Sequence, residues 1–303
     1  MQFTLKQLRY FVATAEHGNL TAAAQRLHVS QPSVSSAIAH LESVFDVQLF
    51  LRHKAKGVSL TPAGRRMAAE ARGLLAHAAD FAEHSGVLGG SLSGDVDVGC
   101  FVTFAPFYLP KLLLSFAASQ PEIHVNVEEG SLDVLQDRLA TGACELALLY
   151  RLGIRDDVET EVLTRLSPYV LLARTHPLAK RKALSLRDLA SEPLILLDLP
   201  HSRDYFRGMF LRSGIEPRVM HRSLSFEMVR GLVANGHGYS ILNLRPHADS
   251  SYDGAPVVCR PLKDDLASLS IVLASVRGAR LTRRAELFAA HCRKHFARID
   301  KRR

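Results

Sequence analysis

Over the first sixty positions, apolar residues recur at three- and four-residue spacing in short bursts separated by polar turns. Leu8, Phe11, Val12 and Ala15 share one helical face behind the capping-box pattern Thr4-Leu5-Lys6-Gln7, and Gly18 supplies the left-handed residue that ends the helix. Thr21 is placed to cap a second helix over 22–27, whose small side chains allow a neighbour to cross closely. After the turn His28-Val29, Ser30 caps a third helix with Pro32 in its first turn, where a missing amide hydrogen costs little.

On the third helix, Val34, Ile38 and Leu41 fall within about 60° of one another, the width of a core-facing stripe. Its other face presents Pro32, Ser33, Ser35, Ser36, Ala39 and His40, with no carboxylate before Glu42. An ordinary solvated helix carries Glu/Lys pairs there. A helix that enters the major groove needs small, non-acidic groups, because bulk blocks base edges and carboxylates repel phosphates. Two short apolar strands, 45–52 and 58–61, then flank the basic, glycine-containing turn 53–57. That pattern predicts a wing whose Arg52, Lys54 and Lys56 lie beside the DNA backbone or minor groove.

Thr61-Pro62 opens a long helix, along which Met67, Ala71, Leu74, Ala78, Phe81 and Ala82 repeat as one apolar stripe to about Leu88. Gly89 to Gly94 reads as a hinge. From Asp95 the pattern changes to alternating strands and helices, which predicts a parallel α/β sheet. Strands are expected at 96–99, 123–127 and 145–150, and helices at 107–116 and at 132–141 behind the cap Ser131. A second set occupies 169–173, 185–189, 194–197, 202–211, 226–235 and 239–242, and the segment 266–276 crosses back to the first. The division is therefore a head, 1–60; a linker helix and hinge, 61–94; and an α/β region, 95–303, with lobe I at 95–165 and 269–303 and lobe II at 166–268.

The net charge of +8 suits a nucleic-acid partner, but its location matters. Residues 277–303 hold ten Lys/Arg against two Asp/Glu, and residues 1–66 hold eight against three, so the middle is acidic. The C-terminal cluster reads as a solvated helix face. Cys100, Cys144, Cys259 and Cys292 are far apart without a CxxC pair, which suits reduced structural thiols. There is no export signal pattern and no run of about 18 apolar residues, so a cytoplasmic, nucleoid-associated protein without a membrane partner is expected. No GxSxG, HExxH, P-loop or GxGxxG is present and the fourteen His are dispersed, so no enzyme activity, metal or cofactor is expected.

The series Leu8-Arg9-Tyr10-Phe11, Thr21-Ala22-Ala23, Ser30-Gln31-Pro32-Ser33-Val34-Ser35, Leu49-Phe50-Leu51-Arg52 and Leu60-Thr61-Pro62-Ala63-Gly64 resembles the LysR-type transcriptional regulators without a gap over 3–64. The resemblance implies an all-α winged helix-turn-helix head plus linker helix, then an α/β effector domain of two lobes similar to periplasmic solute-binding proteins. It also implies double-stranded DNA as partner, a homodimer or homotetramer paired through the linker helix, contact with RNA polymerase, and a small-molecule effector. Carried over, Gln31, Pro32, Ser33 and Ser36 are base-proximal, with Thr21, Ser30, Ser35 and His40 beside them. Relatives commonly place Arg or Lys where Ser36 and Ala39 stand, which shifts readout toward Gln31, the wing and DNA shape.

In open α/β sheets ligands sit at the carboxyl ends of strands facing helix starts. That places Thr103, Ser131 and Tyr150 from lobe I and His201, Ser202, Arg203, Ser225 and Phe226 from lobe II around a cleft, with Arg203 as anchor for a small anionic effector. Two other readings stay open. One is a redox sensor acting through a cysteine, although peroxide-sensing relatives carry their reactive Cys in a segment similar to 201–204, where this chain has Ser202. The other is a constitutive DNA-binding regulator without a ligand.

Overall fold

A computed structural model of the chain describes residues 2–53, 57–86 and 92–300. In the head, α1 (Leu5–His17), α2 (Leu20–Arg26) and α3 (Gln31–Phe45) close over a core that includes Leu8, Phe11, Val34, Ile38, Leu41 and Leu49. The wing strands β1 (Phe50–His53) and β2 (Gly57–Leu60) pair antiparallel. Both halves of the Thr4/Gln7 capping box form, and Gly18 ends α1 in the left-handed region.

Two boundaries differ from the expectation. Asn19, not Thr21, caps α2: its Oδ1 accepts from the amides of Thr21 at 2.8 Å and Ala22 at 3.2 Å. Asparagine is the stronger cap, and starting two residues earlier brings Leu20 onto the core. The strand expected from Phe45 begins instead at Phe50. α3 continues through Phe45, whose ring packs 5.3 Å from that of Phe3, and stops where Asp46 turns left-handed at φ 50°. Glu42 turns inward and its Oε1 accepts from the amides of Leu49 at 2.7 Å and Phe50 at 3.3 Å, tying α3 to the wing.

The linker helix α4 (Pro62–Gly86) starts as expected, with Thr61 Oγ1 accepting from Gly64 N at 2.9 Å and donating to the carbonyl of Gln48 at 2.6 Å. Its stripe divides in two. Ala71 is buried on the head with Met67 packed beside it, whereas Leu74 and Phe81 are 43% and 74% exposed. The expected helix end near Leu88 and the hinge residues 89–91 lie outside the described residues, as do Lys54 and Lys56.

Lobe I is one five-stranded sheet built from β3 (Gly94–Phe101), β4 (Ile123–Gly130), β5 (Leu146–Tyr150), β6 (Val158–Leu166) and a strand returning from the far end of the chain, Leu269–Val276. Helices α5 (Ala105–Ser119) and α6 (Leu132–Ala140) belong to it, as does the C-terminal helix Arg283–Asp300. In lobe II, β7 (Tyr169–Ala173) is followed by β8 (Leu194–Leu197), α7 (Ser202–Arg212), β9 (Val219–Ser223), α8 (Phe226–Ala234), β10 (Ser240–Leu242) and β11 (Val257–Pro261). Its strands form a three-stranded sheet in the order β10-β7-β11 and a parallel pair, β8-β9. The returning strand and the C-terminal helix become β12 and α9.

The expected parallel sheet is in fact mixed. β3 runs parallel to β4 and β5, but β12 is antiparallel to both β5 and β6 because it re-enters from lobe II. The basic C-terminus is a packed helix: Ala285, Phe288, Ala289, Cys292 and Phe296 are buried, and Arg293 on the outer side bonds Glu161 at 2.8 Å. Where the chain passes between lobes, Asn243 Nδ2 donates to the Leu166 carbonyl and the Tyr205 hydroxyl, both at 3.1 Å, and that hydroxyl donates to Ala267 at 3.0 Å. Both crossings are thus fastened at one point.

Candidate functional site

The outer face of α3 is open to solvent at Gln31, Pro32, Ser33, Ser36, Ala39 and His40, while Val34, Ala37, Ile38 and Leu41 face the core. Ser30 Oγ accepts from Ser33 N at 3.3 Å, so it fixes the start of the helix. Ser35 is half-buried, and His40 Nε2 lies 2.9 Å from the Gln2 carbonyl, so the chain start covers that end of the face. Thr21 and Arg52 are exposed. In the wing, His53 Nε2 pairs with Ser59 Oγ at 2.7 Å across the strands.

Two adjoining spaces lie between the lobes, sharing Thr103 and Phe226. The inner one, about 20 Å³, has room for about one water; it is walled by Tyr150, Ser202, Phe206, Asn243 and Leu269 among others. The outer one, about 570 Å³, is within the range of small-molecule sites; it is walled by Val102, Pro106 and Phe107 from lobe I and Leu224, Ser225, Glu227, Pro246 and Tyr252 from lobe II. The rings of Phe107 and Phe226 meet edge-to-face across it, 5.6 Å apart. Thr103 Oγ1 is buried beside the Tyr150 phenol. Burial pushes the Tyr150 phenol up, and the Thr103 hydroxyl beside it only partly opposes this.

Of the eight expected cleft residues, the fold brings Thr103, Tyr150, Ser202, Ser225 and Phe226 to these spaces. Ser131 is absent from both linings and serves as the cap of α6. Arg203 is not at the cleft: its Nε bonds Asp204 at 3.1 Å and lies 3.9 Å from Asp198, because α7 carries it outward. The expected anchor for an anion is therefore spent on neighbouring carboxylates. His201 reaches across instead, placing Nε2 2.9 Å from Asp133 Oδ1 on α6. Phe107, Leu224 and Tyr252 add apolar wall and Glu227 a carboxylate, beyond the polar caps that strand ends and helix starts predict.

α6 also touches the linker helix at its other end. Arg72 of α4 donates Nη1 to the Thr141 carbonyl and Nε to Glu16 of α1 at 3.3 Å, so one guanidinium joins lobe I, linker and head. Gly142 permits the approach: it sits at φ 67°, and a Cβ there would lie 3.1 Å from the Ala69 Cα. Along the middle of α6, buried Gln136 donates to the Gly153 carbonyl at 3.1 Å and accepts from Arg155 N at 2.8 Å. Lobe II and the linker are thereby connected through one short helix of lobe I.

Residues 5–65 match the family model "Bacterial regulatory helix-turn-helix protein, lysR family", and residues 89–297 match "LysR substrate binding domain". Among solved structures, the chain is similar to HinK, a LysR family transcriptional regulator from Pseudomonas aeruginosa, at 39% identity over 98% of this chain and 99% of that one, with a TM-score of 0.67. It is also similar to a full-length OxyR variant from Pseudomonas aeruginosa, at 28% identity over 96% and 98% of the two chains, with a TM-score of 0.76. The DNA-binding transcriptional dual regulator OxyR of Escherichia coli (strain K12) is 30% identical over 78% of each chain. With both family models covering nearly the whole length, the chain belongs to the LysR family of transcriptional regulators.

Proposed function

We propose that the chain acts as a homo-oligomer on a near-palindromic promoter site, with α3 in the major groove and the wing on the flanking backbone. A small molecule taken up between the lobes closes them and changes the angle or spacing of the two heads, and through that the bending of DNA and contact with RNA polymerase. The exposed half of the α4 stripe, with Leu74 and Phe81, pairs with its twin. The protein has no catalytic role. The observation that carries the effector reading is the pair of adjoining spaces walled by both lobes, to which Thr103 presents a buried hydroxyl. The relay runs through α6, which meets His201 at one end and Arg72 near the other.

A redox reading has less support, because all four cysteines are free and buried, with thiols raised by burial. The test is a gel shift with and without a thermal-shift hit from a metabolite library. Thr103→Val with Phe226→Ala should abolish the ligand's thermal shift and leave DNA affinity intact; equal loss of both would sink the division of labour.

A further inference from the structure

We propose that the outer space between the lobes is a site for a small aromatic amine, with the apolar body between Phe107, Phe226 and Tyr252 and the ammonium on Glu227. This rests on the effector reading above and names the chemical class of the ligand. Among the described residues lining either space there is no Lys, Arg or His, and Glu227 is the one carboxylate. An anionic ligand would meet that carboxylate with nothing to pair its own charge.

Glu227 is half-satisfied. Its Oε1 is ion-paired with Arg230 Nε at 3.1 Å, while Oε2 is buried without a hydrogen-bond partner among the described residues. Burial pushes its carboxyl up despite the guanidinium beside it, so the removal of water outweighs the pairing it has. A second cationic donor supplies what is missing, and a charge-assisted bond to a carboxylate is the stronger kind. Arg230 is unsuited to an anion because it is 1% exposed and lines neither space: its Nη2 donates to the carbonyls of Ala248 and Ser250 and its Nε is ion-paired with Glu227, although Nη1 is buried with no hydrogen-bond partner among the described residues. The walls argue for the aromatic body. Leu224 and Tyr252 are 66% and 89% exposed, and a ring seated among them and the Phe107–Phe226 pair removes apolar surface from water. Aromatic faces next to a carboxylate also hold ammonium groups by cation–π attraction.

The test compares three probes of one shape on the full chain by calorimetry: 2-phenylethylamine, 2-phenylethanol and 3-phenylpropionate. The amine should bind at least about tenfold tighter than the alcohol, with the carboxylate weakest, and E227Q should remove that preference while leaving the alcohol unchanged. A carboxylate that binds as well as the amine, and is lost in F226A, overturns the ligand class and leaves the cleft reading standing. Absence of binding by all three overturns both. Should E227Q fail to fold, the unaltered chain serves: the amine-to-alcohol affinity ratio should fall as pH is lowered through protonation of Glu227, with Arg230 and Tyr252 the other ionisable side chains beside it. A flat ratio overturns the proposal.

Discussion

The imidazole of His201 stands with Nε2 2.9 Å from Asp133 Oδ1, joining the start of α7 in lobe II to the first turn of α6 in lobe I. His201 adopts φ 61° and ψ −42°, a conformation unfavourable for a residue with a Cβ. Gly153 faces the ring so closely that a Cβ there would lie 2.4 Å from it. A strained backbone and a cleared space on the other lobe both serve one contact, and such strain clusters where parts move.

The contact is therefore expected to matter for closure more than for stability. The Asp133 side chain is 59% exposed, so Asp133→Ala should cost under about 1 kcal/mol. Gly153→Ala meets both the clash and a φ of 56°, and should cost about 1–3 kcal/mol. Urea denaturation measures both. Hydrogen exchange in 151–157 should rise in D133A, and unchanged exchange there would remove the latch.

Arg72 offers a way to separate sensing from DNA binding. Arg72→Ala removes the bonds to Thr141 and Glu16 but leaves the head core untouched. DNA affinity without ligand should change less than threefold, whereas the ligand-dependent change, typically about 1–3 kcal/mol in such couplings, should largely vanish. Retained coupling in R72A would mean that the relay runs elsewhere. Gly142→Val, which pushes against Ala69, should give the same phenotype with a greater loss of stability.

On the reading face, Ser36 is exposed and makes no contribution to the core. Ser36→Glu should leave the melting temperature within about 2 °C while weakening DNA binding at least tenfold at fixed salt, because a carboxylate then faces phosphates. Ser36→Arg should tighten binding and steepen its salt dependence by about one unit. Indifference to both substitutions would place the reading surface on another element.

The head was legible in its residues because its signals are local. The Thr4/Gln7 box, the Ser30 cap with Pro32, and Thr61-Pro62 each depend on neighbours within four positions, and each forms. Asn19 and Thr21 are both capping residues two positions apart, and only the packing of Leu20 decides between them. In the α/β region, β6 and β9 carry a weak strand signal because polar residues interrupt their apolar positions, Glu159, Glu161 and Arg165 along β6 and His221 and Arg222 along β9. The cleft was legible as a place, since strand ends and helix starts converge there, but its chemistry was not. The direction in which α7 carries Arg203, and the apolar residues brought together from 102–107, 224–227 and 246–252, are set by tertiary packing.

Thiol chemistry gives the last separation between this chain and a redox sensor. Cys144 and Cys292 are pushed up to about 12 by burial, and Cys100 is raised well above its ordinary value for the same reason, with Glu129 adding to it. At pH 8 a thiol at 12 is ionised in roughly one molecule in ten thousand, and only the thiolate attacks peroxide or disulfide reagents. Ellman's reagent should therefore react with the folded chain at the rate of its unfolding, and millimolar peroxide should leave the gel shift unchanged. The same shifts carry a sign for stability. A thiol whose folded value is raised stays neutral in the folded state after the unfolded chain has begun to ionise, so the stabilisation is complete below the unfolded value of about 8.5 and is lost as pH rises toward 12. Urea midpoints should hold between pH 7 and 8 and fall between about 9 and 11, with Cys144→Ala and Cys292→Ala each flattening the decline. A fast-reacting thiol in the folded chain, or a midpoint indifferent to alkali, would reopen the redox reading and point first to Cys259, which is the cysteine least covered by its lobe.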